Sequence, residues 1–343
     1  MDQDKVFMQR ALELAVKGAG NVSPNPMVGC VIVKDKRIIG EGWHQKYGEA
    51  HAEVNAINSV RHKQDLMGAT LYVTLEPCSH YGKTPPCADL IVQYPFSRVV
   101  VASADPNPLV CGKGNDKIKA AGIEVDTGVL EDKADEINKR FFTYINKKRP
   151  YIIFKWAETA DGFIARSNYD SKWISNSYSR MLVHKWRSEE DAIMVGTRTA
   201  FYDDPKLNVR DWYGKDPIKA LIDRKLKISD NAAMFGSGLT YVYNSIKDEE
   251  HDHKRYVKIS GQEPFLYYVM QDLYKRNVQS VFVEGGSGLF KALVDCNLWD
   301  EARIFKGAAF FGEGIAAPRL RGETVTIDDV AGDELRIIRN LIA

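Results

Sequence analysis

The chain has 343 residues, 44% of them hydrophobic and 27% charged, with 47 basic side chains against 46 acidic ones. That length suits two domains, each able to bury its own core, in a soluble globular protein of ordinary composition. A net charge of +1 excludes a broad footprint for nucleic acid or an anionic membrane and leaves room only for a local basic pocket.

The N-terminal stretch from Met1 to Gly18 carries acidic residues and helical periodicity at Phe7, Ala11, Leu14 and Ala15, not a signal-peptide core. An amphipathic helix over about 3–17 is stopped by Ser23-Pro24-Asn25-Pro26, and the apolar run from Val28 to Val33 predicts a strand. Lys34-Asp35-Lys36 turns it into a second strand, Arg37 to Trp43, so the pair reads as a hairpin. A helix from about Ala52, a strand over 70–75, a helix through 88–92 and a strand over 98–102 follow. Asp105-Pro106-Asn107-Pro108 marks a loop. A helix near 115–121, a short strand over 123–125 and a helix near 131–144 close this half. Strands alternating with helices imply an α/β arrangement.

Asn146-Lys147-Lys148-Arg149-Pro150 is polar, ends in proline and reads as a linker, so the expected domains are 1–146 and 147–343. A fresh strand begins at Tyr151, and later strands are expected at 192–195, 220–222, 240–243 and 280–283. Residues 244–262 are polar and read as an exposed excursion. No apolar run approaches the roughly 18 residues that span a bilayer. Five cysteines are an odd count, which argues against a disulfide framework and for a cytoplasmic setting.

His51-Ala52-Glu53, Pro77-Cys78 and Cys87 carry the strongest chemical signal. Two thiolates and an imidazole hold zinc while leaving a fourth position open to water, whose pKa falls to about 7. Soft sulfur ligands favour zinc over other divalent ions. Zinc deaminases add a glutamate that moves protons without binding the metal, a part that Glu53 fits. Residues two apart in a helix point about 200° apart, so His51 and Glu53 converge only at a helix entry. The open alternative is a closed structural site with His80 as fourth ligand. Cys30, Cys111 and Cys296 read as buried small apolar residues.

With these motifs stand Ser23 through Cys30, Gly42-Trp43-His44, the eight-residue insert between Cys78 and Cys87, and Gly112-Lys113-Gly114. Together they resemble the bifunctional deaminase–reductase of bacterial riboflavin biosynthesis, from near residue 5 to the C-terminus. The resemblance implies an α/β chain: an N-terminal cytidine-deaminase-like three-layer domain and a C-terminal dihydrofolate-reductase-like domain. It implies deamination of 2,5-diamino-6-ribosylamino-4(3H)-pyrimidinone 5′-phosphate, with substrate contacts at Asn25, His44, His80, Lys83 and Asn107. It also implies a homo-oligomer acting on a small molecule, and the near-zero net charge and lack of a spanning apolar run argue against nucleic acid or membrane as partner.

In the second half, 281–290 run as an apolar strand, then glycines, then an apolar helix start. Backbone N–H groups at such a helix start suit a phosphate, but Lys291 stands where the dinucleotide fingerprint has its third glycine. Arg187 and Arg210 could form a bidentate clamp on a phosphate. The resemblance implies reduction of the ribose to ribitol by NADPH, held at Ala157, Trp173, Thr199, Asp203 and the loop Gly286, Ser287, Gly288, Leu289. It places substrate at Ser171, Arg187, Leu207, Arg210 and Glu284. Asp203 or Glu284 is expected to lie near the reacting carbon and assist proton movement. Arg224 departs from the family's Asp-Ser pattern and is a candidate for the 2′-phosphate of NADPH. The rival readings are a nucleoside or nucleic-acid deaminase fused to an unrelated binding domain, a zinc-stabilised binding module without turnover, and a chain whose second domain has decayed.

Overall fold

A computed structural model describes residues 3–81, 85–107, 111–171, 174–261 and 263–341. The chain parts into two units between Lys148 and Arg149.

The first unit runs α1 (Gln3–Ala15), β1 (Gly29–Lys34), β2 (Arg37–Trp43), α2 (Ala52–Ser59), β3 (Thr70–Leu75), α3 (Cys87–Ile91), β4 (Arg98–Ser103), α4 (Lys113–Ala120), β5 (Glu124–Thr127), α5 (Glu131–Ile137) and α6 (Lys139–Lys147). Its sheet has the order β2-β1-β3-β4-β5. β1 is antiparallel to β2 and β3, and β3, β4 and β5 are parallel. Side chains alternate across a strand, so each strand feeds two cores. Ile32, Leu71, Val73, Val99 and Val101 face Ala56, Ile91 and Ile118 of α2, α3 and α4. Val31, Val33, Tyr72 and Val100 face Met8, Ala11 and Leu12 of α1 and Ala134 of α5. The result is three layers, helix on sheet on helix.

The predicted helix over 131–144 is two helices broken at Asn138. The side chain of Asn138 accepts from the Met27 N–H at 2.8 Å and donates to the Met27 carbonyl at 2.9 Å. A helical break thereby holds the loop that carries Asn25. The predicted linker is shorter than its polar composition suggested. Asn146 and Lys147 belong to α6, and Lys148 ends it with φ 51°.

The second unit runs β6 (Tyr151–Glu158), β7 (Phe163–Ala165), α7 (Ser177–Glu189), β8 (Ala192–Gly196), α8 (Thr197–Asp203), β9 (Ile218–Ile222), β10 (Thr240–Asn244), β11 (Glu249–His251), β12 (Lys254–Lys258), α9 (Phe265–Lys275), β13 (Ser280–Glu284), α10 (Ser287–Asp295), β14 (Glu301–Lys306), β15 (Ile315–Ala316), β16 (Glu323–Val330) and β17 (Asp333–Arg339). Ten strands form one mixed sheet in the order β11-β12-β10-β9-β8-β13-β6-β14-β17-β16. α9 and α10 cover one face through Val269, Met270, Leu273, Phe290 and Leu293. α7 covers part of the other through Val183 and Trp186.

Two expectations change here. Residues 244–262 are exposed for much of their length, yet they supply β11 and β12, and β12 pairs in parallel with β10. β14 was not expected as a strand because Glu301 and Arg303 interrupt its apolar run. Both are buried and paired, Arg303 Nε donating to Glu301 at 2.7 Å with its guanidinium 4.7 Å above the Trp186 ring. Among the described residues, no helix is long and apolar enough to cross a membrane.

Candidate functional site

In the first unit, α2 begins where His51 leaves extended backbone, φ −73° and ψ 168°, as its N-cap. This is the helix entry at which His51 and Glu53 were expected to converge. α2 lies unusually close to β2. A Cβ on Gly42 would stand 2.3 Å from the Ala56 nitrogen, so glycine is what permits the approach. Cys78 follows β3 and Cys87 opens α3, and the strap is tied by the Ala88 N–H donating to the Cys78 carbonyl at 3.1 Å.

His51 Nδ1 lies 3.6 Å from Cys78 Sγ and 3.3 Å from Cys87 Sγ, and the Cys87 N–H donates to Cys78 Sγ at 3.3 Å. The three ligand atoms fall within 4.8 Å of one another, and among the described residues no other such group is found. His80 is exposed and outside it, so the four-ligand closed site is not formed. Two sulfurs and an imidazole fit zinc with one position open. The Cys87 thiol and His51 together pull Cys78 down to about 4, while hydrogen bonding to Cys78 and burial push Cys87 up. Glu53 is 3% exposed. Burial first, and then the Cys78 charge, push its carboxyl up to about 7.

Around this group, His44 is buried and both its ring nitrogens are engaged. Nδ1 meets the Ala50 carbonyl at 3.1 Å, and Nε2 meets Asn25 Nδ2 at 3.1 Å. A carbonyl only accepts, so Nδ1 carries the proton and Nε2 accepts from Asn25. The His44 ring stands edge-on to His51 at 5.3 Å. Asn107 is held by its N–H donating to Asp105 Oδ1 at 2.8 Å, and burial raises Asp105 itself to about 6. Lys83 lies outside the described residues. Of the spare cysteines, only Cys30 is buried; Cys111 is exposed and Cys296 half-buried. Apolar burial therefore does not explain Cys111, which sits in the loop before α4 rather than on a core face.

The second unit contains a cavity of about 1100 Å³ bordered by Ala157, Thr199, Asp203 and Gly286 to Leu289, and by Ser171, Arg187, Arg210 and Glu284. Gly286 is the N-cap of α10, and its N–H donates to Thr199 Oγ1 at 3.0 Å. Arg224 borders the same cavity, lies 4.7 Å over the Phe265 ring and pairs with Glu263 at 2.7 Å. Trp173 lies outside the described residues. Leu207 does not border the cavity. Its side chain, 2% exposed, packs with Ile193, Val195 and Leu221, because an apolar residue at the end of this loop is worth more buried than lining a wet cleft.

The expected clamp of Arg187 with Arg210 is also corrected. Arg187 Nε and Nη2 donate to the two Glu284 oxygens at 2.6 and 2.9 Å, and Nη1 donates to the Asn208 carbonyl at 3.0 Å. Arg210 is largely exposed, 3.5 Å from Asp211. Burial alone would raise the Glu284 carboxyl, but Arg187 and Lys155 outweigh it and hold it below the ordinary range. Glu284 is therefore a fixed anion rather than a proton donor. Lys155, which no motif singled out, lines the cavity from β6, and burial lowers its ammonium pKa. A lysine inside the apolar run from Tyr151 to Trp156 was the available signal.

Residues 1–103 match the family model described as cytidine and deoxycytidylate deaminase zinc-binding region, and 150–330 match the RibD C-terminal domain. The chain is 41% identical to the riboflavin biosynthesis protein RibD of Aquifex aeolicus over 319 residues, 91% of this chain and 89% of that protein. It is 36% identical to RibD of Escherichia coli over 329 residues, 90% of this chain and 89% of that one. A crystal structure of a diaminohydroxyphosphoribosylaminopyrimidine deaminase/5-amino-6-(5-phosphoribosylamino)uracil reductase from Thermotoga maritima superposes with a TM-score of 0.91. It has 38% identity and covers 98% of this chain and 99% of that one. A match over 150–330 removes the rival reading in which the second domain is unrelated.

Proposed function

We propose that this chain, which belongs to the RibD family of riboflavin-biosynthesis proteins, carries out two successive steps. The first unit, ending at Lys148, would deaminate diaminohydroxyphosphoribosylaminopyrimidine, and the second, from Arg149, would reduce the resulting 5-amino-6-(5-phosphoribosylamino)uracil with NADPH. The observation that carries this reading is the three-ligand group of His51, Cys78 and Cys87 with Glu53 buried beside it.

His51, Cys78 and Cys87 would hold zinc, which would supply there a water acidic enough to attack at neutral pH. The Glu53 carboxylate accepts the proton of the attacking water and delivers it to the departing amino nitrogen, so ammonia leaves and the ring carbon keeps the oxygen. Asn25, oriented by His44, and Asn107 offer the amide groups that an aminopyrimidine requires; His80 and Lys83 are assigned to the substrate by resemblance alone.

In the second unit a bound NADPH would supply the hydride. Ala157, Thr199, Asp203 and the turn from Gly286 to Leu289 would hold it, with Trp173 assigned by resemblance. Ser171, Arg210 and the Arg187–Glu284 pair would border the sugar. Hydride arriving at C1′ must be matched by one proton. The buried Lys155 ammonium gives up a proton more readily than an exposed lysine would, and Asp203 borders the same cavity. Lys155→Met and Asp203→Asn are each expected to lower reductase turnover about 10²-fold beyond any change in KM. Ammonia release should stay intact and 5-amino-6-(5-phosphoribosylamino)uracil should accumulate by mass spectrometry. A variant that reduces it at the wild-type rate loses its assigned role.

A further inference from the structure

Glu76 lies between the end of β3 and Pro77-Cys78, two residues from a metal-ligating thiol, and is 3% exposed. The chemistry above makes no use of it. Its Oε1 accepts the N–H groups of Gly114 at 3.1 Å and Asn115 at 3.3 Å. Its Oε2 accepts from Gly112 at 3.0 Å and, at the long limit of 3.5 Å, from Asp105.

The Gly112, Gly114 and Asn115 amides are ones that the first turn of α4 leaves without helical partners. An N-cap side chain ordinarily takes the second and third of them, but the N-cap of α4 is Gly112, with φ 78° and no side chain to offer. Glu76 caps α4 from another element. The approach is backbone-close, since a Cβ on Gly114 would stand 1.9 Å from the Pro77 carbonyl oxygen. On its other side, Glu76 donates its own N–H to the Ser103 carbonyl at 2.9 Å, and Asp105 in turn fixes the Asn107 N–H. One buried carboxylate thus joins the strap that carries Cys78 to the segment that presents Asn107.

We propose that Glu76 is a positioning residue of the deaminase site, locking Asn107 into place relative to the metal-ligating strap. The inference rests on the deaminase reading above.

Glu76→Gln keeps the size of the side chain but loses the charge, and it turns N–H groups toward N–H groups. The zinc-loaded variant is expected to keep wild-type zinc content and wild-type reduction of 5-amino-6-(5-phosphoribosylamino)uracil by NADPH. Its KM for deamination should rise about tenfold, with kcat changed by less than about threefold, as for a contact made equally in ground and transition states. Because Glu76 acts through Asn107, adding Glu76→Gln to Asn107→Ala should raise KM by less than about twofold more. An undiminished tenfold rise in that background, or an unchanged KM in Glu76→Gln alone, overturns the proposal. Should Glu76→Gln fail to fold, Gly114→Ala separates α4 from Pro77 with the charge intact. It should raise the deamination KM in the same way, and an unchanged KM there overturns the proposal too. A wild type that releases no ammonia removes the deaminase reading and this inference together.

Discussion

Glu53→Ala is expected to lower deamination about 10²–10⁴-fold, the range of a lost general acid–base, while zinc content and NADPH-dependent reduction stay at wild-type levels. The separation follows from the geometry. His51, Cys78 and Cys87 make the ligand group without Glu53, so removing the carboxylate takes away the proton carrier and leaves the ligands. The pH profile should report the same residue. Glu53 must be ionised to accept a proton, and burial with the Cys78 charge pushes its carboxyl up to about 7. A bound dication favours the ionised form and lowers that value. Wild-type activity should therefore be present above an acid limb at or below pH 7 and be lost as pH falls through it. The residual activity of Glu53→Ala should lack that limb. Zinc titration by a colorimetric chelator and ammonia release across pH check both parts. Loss of zinc along with activity would make Glu53 a structural element of the site.

Glu284→Ala is expected to destabilise the second unit by about 3–5 kcal/mol, the cost of leaving a buried charge without its partner. The Arg187 side chain is 10% exposed and that of Glu284 15%, so water does little to screen them. Lys155 beside them would add a second uncompensated cation. For a unit of this size the loss corresponds to a fall in its melting temperature of roughly 10 °C, with reduction abolished and deamination retained. The sign with pH is fixed by the lowered pKa of Glu284. Its contribution is fully present above the unfolded glutamate value of 4.5 and is lost only as pH falls through the lower folded value. Thermal melts at neutral pH with activity assays of both steps decide it. A melt within about 1 kcal/mol of wild type would mean that the pair contributes no more than an exposed one.

The metal group was legible because its chemistry is written locally. His51 and Glu53 share one helix entry, and Cys78 and Cys87 sit in a short proline-rich strap. The strands of the first unit were legible for a similar reason, since their apolar runs end at turns such as Asp35-Lys36, both at positive φ. What escaped was written at a distance. Glu284 meets Arg187 across 97 residues, and nothing near either one announces that the arginine is already committed. Glu76 meets Gly114 across 38 residues, where its ordinary reading is a polar strand end. Asn138 breaks a helix to serve Met27, across 111 residues. β14 was hidden by charges that the fold buries in pairs, and Lys155 by the apolar strand around it. Local motif carries the chemistry of this chain, and long-range pairing carries the placement of the groups that support it.

The most direct test of the whole account uses one tube of purified protein. Zinc per chain is measured first, and diaminohydroxyphosphoribosylaminopyrimidine and NADPH are then added with ammonia and NADPH absorbance followed together. Zinc near one per chain, with ammonia released before NADPH is consumed, is the predicted result. No zinc and no ammonia would contradict the assignment of His51, Cys78 and Cys87, and with it the central claim.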